Sequence, residues 1–137
     1  MPDAPTSTEK FATRQRCELL DITDLVSHVV ANSGIRSGIA VVFVPHTTAG
    51  VTINENADPD VRHDLLKKLE TLVPHHESFY QHSEGNSDAH VKSSLLGHSA
   101  SIPIYDGKLE LGTWQAIYFA EFDGPRERRV MIKVLGQ

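Results

Sequence analysis

The sequence predicts an α+β domain in which strands dominate and about three helices are inserted near the middle. Three observations carry this. Alternating and β-branched runs fill the two ends of the chain. Three stretches combine a helical apolar period with start and stop signals. The length, 137 residues, suits one core and one domain. Residues 1–10 are expected to be a flexible N-terminal segment and residues 11–137 the single domain.

In chain order, FATRQRCELLDI alternates with Phe11, Thr13, Gln15, Cys17 and Leu19 on one side and reads as a strand. TDLVSHVVANSG follows as a short amphipathic helix, with Thr23 as N-cap, a stripe of Leu25, Val26, Val29 and Val30, and Gly34 as the stop. GIAVVFVPHTTAGVTINEN turns to β-branched residues and is interrupted at Pro45 and His46. Two strands or one broken strand fit it equally.

ADPDVRHDLLKKLETLVP carries the strongest helix signals: Asp58 as N-cap, Pro59 at the first helical position and Pro74 at the end. Val61, Leu65, Leu69 and Leu72 form its apolar arc, Asp64 and Lys68 can pair one turn apart, and His63 points away. A polar loop runs from His75 to Asn86. Ser87 then caps a short helix with Val91, Leu95 and Leu96, stopped by Gly97. Four short strands complete the chain: HSASIPIY, KLELG, TWQAIYFAEF and RERRVMIKVL, with turns at Asp106-Gly107 and DGPRE.

A net charge of −5 and a pI near 5.9 argue against a nucleic-acid surface. The polar N-terminus lacks a signal peptide's apolar core and no apolar run is long enough to span a bilayer, so a cytoplasmic protein without membrane contact is expected. Cys17 is the only cysteine. It excludes an internal disulfide and a thiolate metal cluster, leaves metal binding to His and carboxylates, and reads as a small buried apolar residue.

The eight histidines hold most of the chemical information, five of them between His75 and His98. Imidazole is the commonest ligand for zinc-like metals. His28, His75 and His76 read as ordinary surface or satisfied histidines. His46 follows Pro45 at a strand end, where a side chain can reach a cavity rim. His82 and His90 flank a Gly-Asn loop and a helix start, a spacing that does not fix a common face as HExxH does. Converged with His46, they make a three-histidine site with an open position, the arrangement of catalytic zinc. His98 and His63 are reserve ligands.

Glu84 and Asp88 flank these ligands and can orient an imidazole or act as base on a metal-bound water, although Asp88 also suits a helix N-terminus. Asn54 and Glu55 lie where a strand gives way to a turn and are candidate catalytic residues; Asp58 is a cap. A phosphate can be held by the amides of Gly85, Asn86 and Ser87 at the helix start, assisted by Lys92. Gln115 binds ligand or makes a cross-strand hydrogen bond, and Trp114 serves as a core or subunit-interface residue. No phosphate-loop or dinucleotide glycine pattern is present.

PHTTAGVTINENADPDVRHDLL, HSEGNSDAHVKSSLLG and SASIPIYDGKLELGTWQAI together resemble the YjbQ family, also called the secondary thiamine-phosphate synthase family. Ser99, Ile102, Ile104, Gly107, Gly112, Thr113, Trp114 and Gln115 fall at the spacings of its signature. The resemblance implies a mostly antiparallel sandwich or barrel-like sheet with a few helices, assembled as a homotrimer with sites near subunit boundaries. It implies histidine-bound zinc on His46, His82 and His90, with Glu84 and Asn86 in the same motif; Mg²⁺ is the alternative, as the usual partner of a diphosphate. The implied activity is secondary formation of thiamine phosphate from a hydroxymethylpyrimidine diphosphate and a thiazole phosphate, releasing pyrophosphate. The residues leave two rivals open: a zinc-dependent hydrolase with Glu84 as base, and a non-enzymatic module that binds metal or a small phosphorylated molecule.

Overall fold

The computed structural model describes residues 5–137. All its strand pairs are antiparallel and fall into two sheets. Strands β1 (Ser7–Ala12), β3 (Gly38–Phe43), β5 (Ser99–Tyr105), β6 (Lys108–Leu109) and β8 (Glu127–Gly136) form one sheet in the order β1-β8-β3-β5-β6. Strands β2 (Glu18–Asp21), β4 (Ala49–Glu55) and β7 (Gln115–Glu121) form the other, with β7 central. Helices α1 (Thr23–Ser33), α2 (Pro59–Leu72) and α3 (Ser87–Leu96) complete the domain. Among the described residues no helix is long and apolar enough to cross a membrane.

β7 explains the layering, because its residues are buried on both faces. Ile117 and Phe119 join Val42, Ile102, Val130, Ile132 and Val134 in the core between the sheets, closed by Val26 and Val30 of α1. Ala116, Tyr118 and Ala120 face the other way, onto Ala89 of α3 and the flank of Leu65, Leu66 and Leu69 on α2. Each fully buried large side chain contributes about 1.5–3 kcal/mol by leaving water. Two cores thus share one strand. That leaves α2 and α3 as an outer layer, and the candidate site lies along the edge of α3.

The punctuation around α2 acts as its residue types dictate. Asp58 accepts the Asp60 N–H at 2.9 Å, and Pro59 opens the helix. Its apolar arc is only half-buried, with Leu72 at 62% exposure, and Asp64 contacts His63 rather than Lys68.

Several expectations are corrected. FATRQRCELLDI is two strands in different sheets: Glu18 accepts the N–H groups of Arg14 and Gln15 at 2.6 and 2.7 Å and folds Thr13–Cys17 into a turn. β1 begins at Ser7, inside the segment expected to be flexible, because it pairs with β8 and sets Phe11 edge-on to Phe119 at 4.8 Å; residues 1–4 lie outside the described part. Thr23 is the first helical residue rather than the cap: its N–H reaches Asp21 and its hydroxyl accepts from Ile117 N–H. Likewise α3 is preceded by Asn86, not Ser87, in the cap position. Cys17 is only half-buried. Trp114 is 63% exposed, which removes its core reading.

Candidate functional site

A cavity of about 450 Å³ opens beside α3 and gathers His46, His82 and His90. They come from three places. His46 belongs to the loop between β3 and β4, His82 to the turn before α3, and His90 to the helix itself. The turn closes with Gly85 N–H on the His82 carbonyl at 3.3 Å, and Gly85 has φ of +71°, a left-handed conformation that suits glycine. Asn86 and His90 are four residues apart and therefore share a helix face.

The His46 loop is tied to α3 from two sides. Ser93 donates its hydroxyl proton to the Thr47 carbonyl at 2.6 Å. Gly50 sits so close to the helix end that a Cβ there would stand 2.5 Å from the Gly97 carbonyl oxygen, and Val51 N–H donates to that same oxygen at 3.1 Å. Only glycine permits this approach of β4 to α3.

His82 and His90 face each other edge-on, with ring centroids 5.4 Å apart and planes at 82°. His46 Nε2 accepts the Arg129 N–H at 3.1 Å. Burial and the nearby Arg128 guanidinium push the His46 pKa down, so the ring is neutral near pH 7. Glu84 lies 3.9 Å from His82 and is largely exposed.

The floor is a polar network that sequence reasoning did not assign to the site. Asp123 accepts from Asn86 Nδ2 at 2.7 Å and from Arg126 at 2.9 Å. Because the carboxylate requires a donor, the Asn86 amide orientation is fixed. Its Oδ1 is then left buried without a hydrogen-bond partner. Arg128 donates to Glu121 at 2.8 Å and to the Thr48 hydroxyl at 2.8 Å, and Thr13 donates to Glu121 at 2.7 Å. Burial alone would raise the Glu121 carboxyl, but these donors and the Asp123 N–H outweigh it and hold its pKa below the ordinary value. A parity signal was available for this pair: Arg128 falls in step with Val130, Ile132 and Val134, and Glu121 with Ile117 and Phe119, all on inward faces.

Other expected residues lie elsewhere. Gly85 and Ser87 are on the same turn and helix start. Lys92 is two residues past His90, about 200° around the helix at roughly 100° per residue, and is buried on the opposite flank against Asp88 at 3.0 Å. Asp88 is fully buried between Lys92 and Arg16, so it does not reach the cavity as a base. Asn54 accepts the Glu55 N–H, and both stand at the end of β4 remote from Thr48, about 20 Å away at roughly 3.3 Å per residue. Gln115 accepts the Gly112 N–H at 2.8 Å in its own turn. His98 and His63 lie outside this cavity.

Two imidazoles that bind one tetrahedral ion at about 2.0–2.1 Å hold their ring centroids roughly 5 Å apart. The His82–His90 pair has that ring separation, and imidazole nitrogens suit zinc better than Mg²⁺. The third ligand does not converge: His46 is engaged by Arg129, and among the described residues no three His, Cys, Asp or Glu side chains are grouped to hold an ion.

A family profile described as UPF0047 protein YjbQ-like matches residues 7–137. A UPF0047 protein of Methanocaldococcus jannaschii is 56% identical over 127 residues, 93% of this chain and 91% of its own length. The UPF0047 protein YugU of Bacillus subtilis is 49% identical over 129 residues, 94% of this chain and 98% of its own. The crystal structure of a YjbQ/UPF0047 family protein from Clostridium acetobutylicum superposes with a TM-score of 0.92 at 53% identity, covering 94% of this chain and 99% of that one. A Sulfolobus solfataricus protein described as of unknown function gives a TM-score of 0.92 at 36% identity, covering 97% of each chain.

Proposed function

The chain belongs to the UPF0047 YjbQ-like family, and from that premise we propose that the histidine cavity binds a divalent metal, zinc before Mg²⁺, together with a small phosphorylated substrate. The observation that carries the reading is the gathering of His46, His82 and His90 from three separate segments onto one cavity. The reaction proposed is secondary thiamine-phosphate synthesis. The bond from the pyrimidine methylene carbon to its diphosphate oxygen breaks, a bond from that carbon to the thiazole nitrogen forms, and pyrophosphate leaves.

His82 and His90 would hold the ion, and His46 would complete the set on release of the Arg129 N–H. Such an ion supplies positive charge against a departing diphosphate. The chain's own residues do the rest. Asn86, held by Asp123, fixes the start of α3 beside His90, Arg126 lines the wall where phosphate oxygens would lie, and Pro45 and Thr48 shape the cavity. Family resemblance supports a homotrimer, for which exposed Trp114, Leu95 and Phe79 offer apolar contact area.

A second reading, a metal-dependent hydrolase, draws on Glu84 at 3.9 Å from His82, a carboxylate that would serve as the base beside a bound metal. The decisive experiment is elemental analysis of the protein and of its His46→Ala, His82→Ala and His90→Ala variants, paired with an assay of pyrophosphate release. Stoichiometric metal lost in the His82 and His90 variants, with release of pyrophosphate lost alongside, supports synthesis. Retention of full metal by all three variants defeats the metal reading. Glu84→Gln separates the rival: loss of phosphoester cleavage with metal retained favours hydrolysis.

A further inference from the structure

A second cavity, about 460 Å³, lies on the other side of α3 and uses none of the three histidines. Its size is in the range of small-molecule pockets, about 300–1,000 Å³. The turn before β2 supplies Arg16 and Cys17, α2 supplies Leu66, Lys67 and Leu69, and Lys92 with Phe122 forms the floor.

The lining has two halves. Leu66, Leu69, Cys17 and the Phe122 ring make an apolar wall. Arg16, Lys67 and Lys92 bring three basic side chains to a lining whose only acidic member is Glu70, a local reversal in a chain of net charge −5. Lys92 is 2% exposed, with its Nζ 6.0 Å over the Phe122 ring. Arg16 meets Asp88 through two nitrogens, at 2.9 and 3.2 Å, and Lys92 meets it at 3.0 Å. One carboxylate therefore answers two cations, and one positive charge is left over next to a greasy wall.

We propose that this cleft is a second ligand site, which binds an amphipathic carboxylate: an apolar chain against Leu66, Leu69 and Phe122, and an anionic head toward Arg16, Lys92 and the Lys67 at its mouth. A neutral molecule of the same shape leaves the surplus charge unanswered. A hydrophilic anion leaves the apolar wall wet. The specificity is for both features in one molecule. This site stands independently of the function proposed for the histidine cavity.

The chain carries its own reporter, since its single cysteine lines this cleft. The experiment measures the rate of Cys17 modification by N-ethylmaleimide at mildly alkaline pH, and the melting temperature, with octanoate, octanol or inorganic phosphate added. Octanoate should slow modification in a saturable way and raise the melting temperature, with octanol and phosphate each at least roughly tenfold weaker. Lys67→Glu, at an exposed position that leaves the fold intact, should weaken octanoate protection by about tenfold. Leu66→Asp should abolish it, and His90→Ala should leave it unchanged. Equal protection by octanol, no protection by octanoate at millimolar concentration, indifference to Lys67→Glu, or loss of protection in His90→Ala each overturns the proposal.

Discussion

Glu121 and Arg128 form a buried ion pair in the floor of the histidine cavity, at 0% and 2% side-chain exposure. Removing one partner strands the other in a dry interior. Glu121→Gln should therefore destabilise the fold by about 3–5 kcal/mol, read from urea unfolding. Replacing both partners with apolar residues of similar volume should recover much of that loss; if the single change costs under about 1 kcal/mol, the pair is not the buried unit described.

Stability should fall on the acid side. Burial raises the carboxyls of Glu121 and Asp88, but the hydrogen bonds from Arg128 and from Arg16 and Lys92 respectively outweigh it and leave both below their ordinary values. A carboxyl held low in the folded state contributes stability above its unfolded pKa, and that contribution is lost as pH falls through the folded value. The unfolded references are 4.5 and 3.8. The melting temperature should drop below about pH 5 as these carboxyls protonate, and Glu121→Gln should drop less steeply there; His46, held below its ordinary 6.5 in the fold, adds a separate, shallower loss that begins nearer that value. An equal acid slope in the variant would remove Glu121 from the account.

Ser93 couples α3 to the His46 loop. Ser93→Ala should cost only about 0.5–1.5 kcal/mol of stability. If the histidine cavity binds metal as proposed, the same change should weaken that binding roughly tenfold, because it loosens the support of His46 rather than His46 itself. Calorimetric metal titration beside thermal unfolding distinguishes the two effects; parallel loss in both would mean a purely structural residue.

Trp114 is a large apolar side chain left in solvent ahead of β7. If copies of the chain meet there, Trp114→Glu should raise the subunit dissociation constant by at least about tenfold. Sedimentation equilibrium measures this, and an unchanged oligomeric state in the variant places the contact elsewhere.

Local punctuation was legible in the sequence, and long-range placement was less so. Asp58, Pro59 and Pro74 delimit α2 through bonds they make or prevent within a few residues. The turn at Thr13–Cys17 went unread because it depends on Glu18 folding back on two backbone amides, a bond that alternation does not encode. Asn54 and Glu55 looked like site residues because they end a strand, but a strand has two ends and only the topology says which one meets α3. Lys92 is a clearer lesson: helical geometry alone sets it on the flank opposite His90. The neighbourhood of His82 and His90 was legible through their motif, and their rings do meet. The part played by Arg126, Arg128 and Asp123 was not, since it requires β7, β8 and the start of α3 to be placed side by side.

Helix α3 is a party wall. Asn86 and His90 look into one room, Lys92 into the other. Were both rooms to take guests as proposed, each guest would press on the same partition. By thermodynamic reciprocity, whatever free energy it lends its neighbour it receives back in equal measure. Ten residues of helix thus separate two cavities of this small domain.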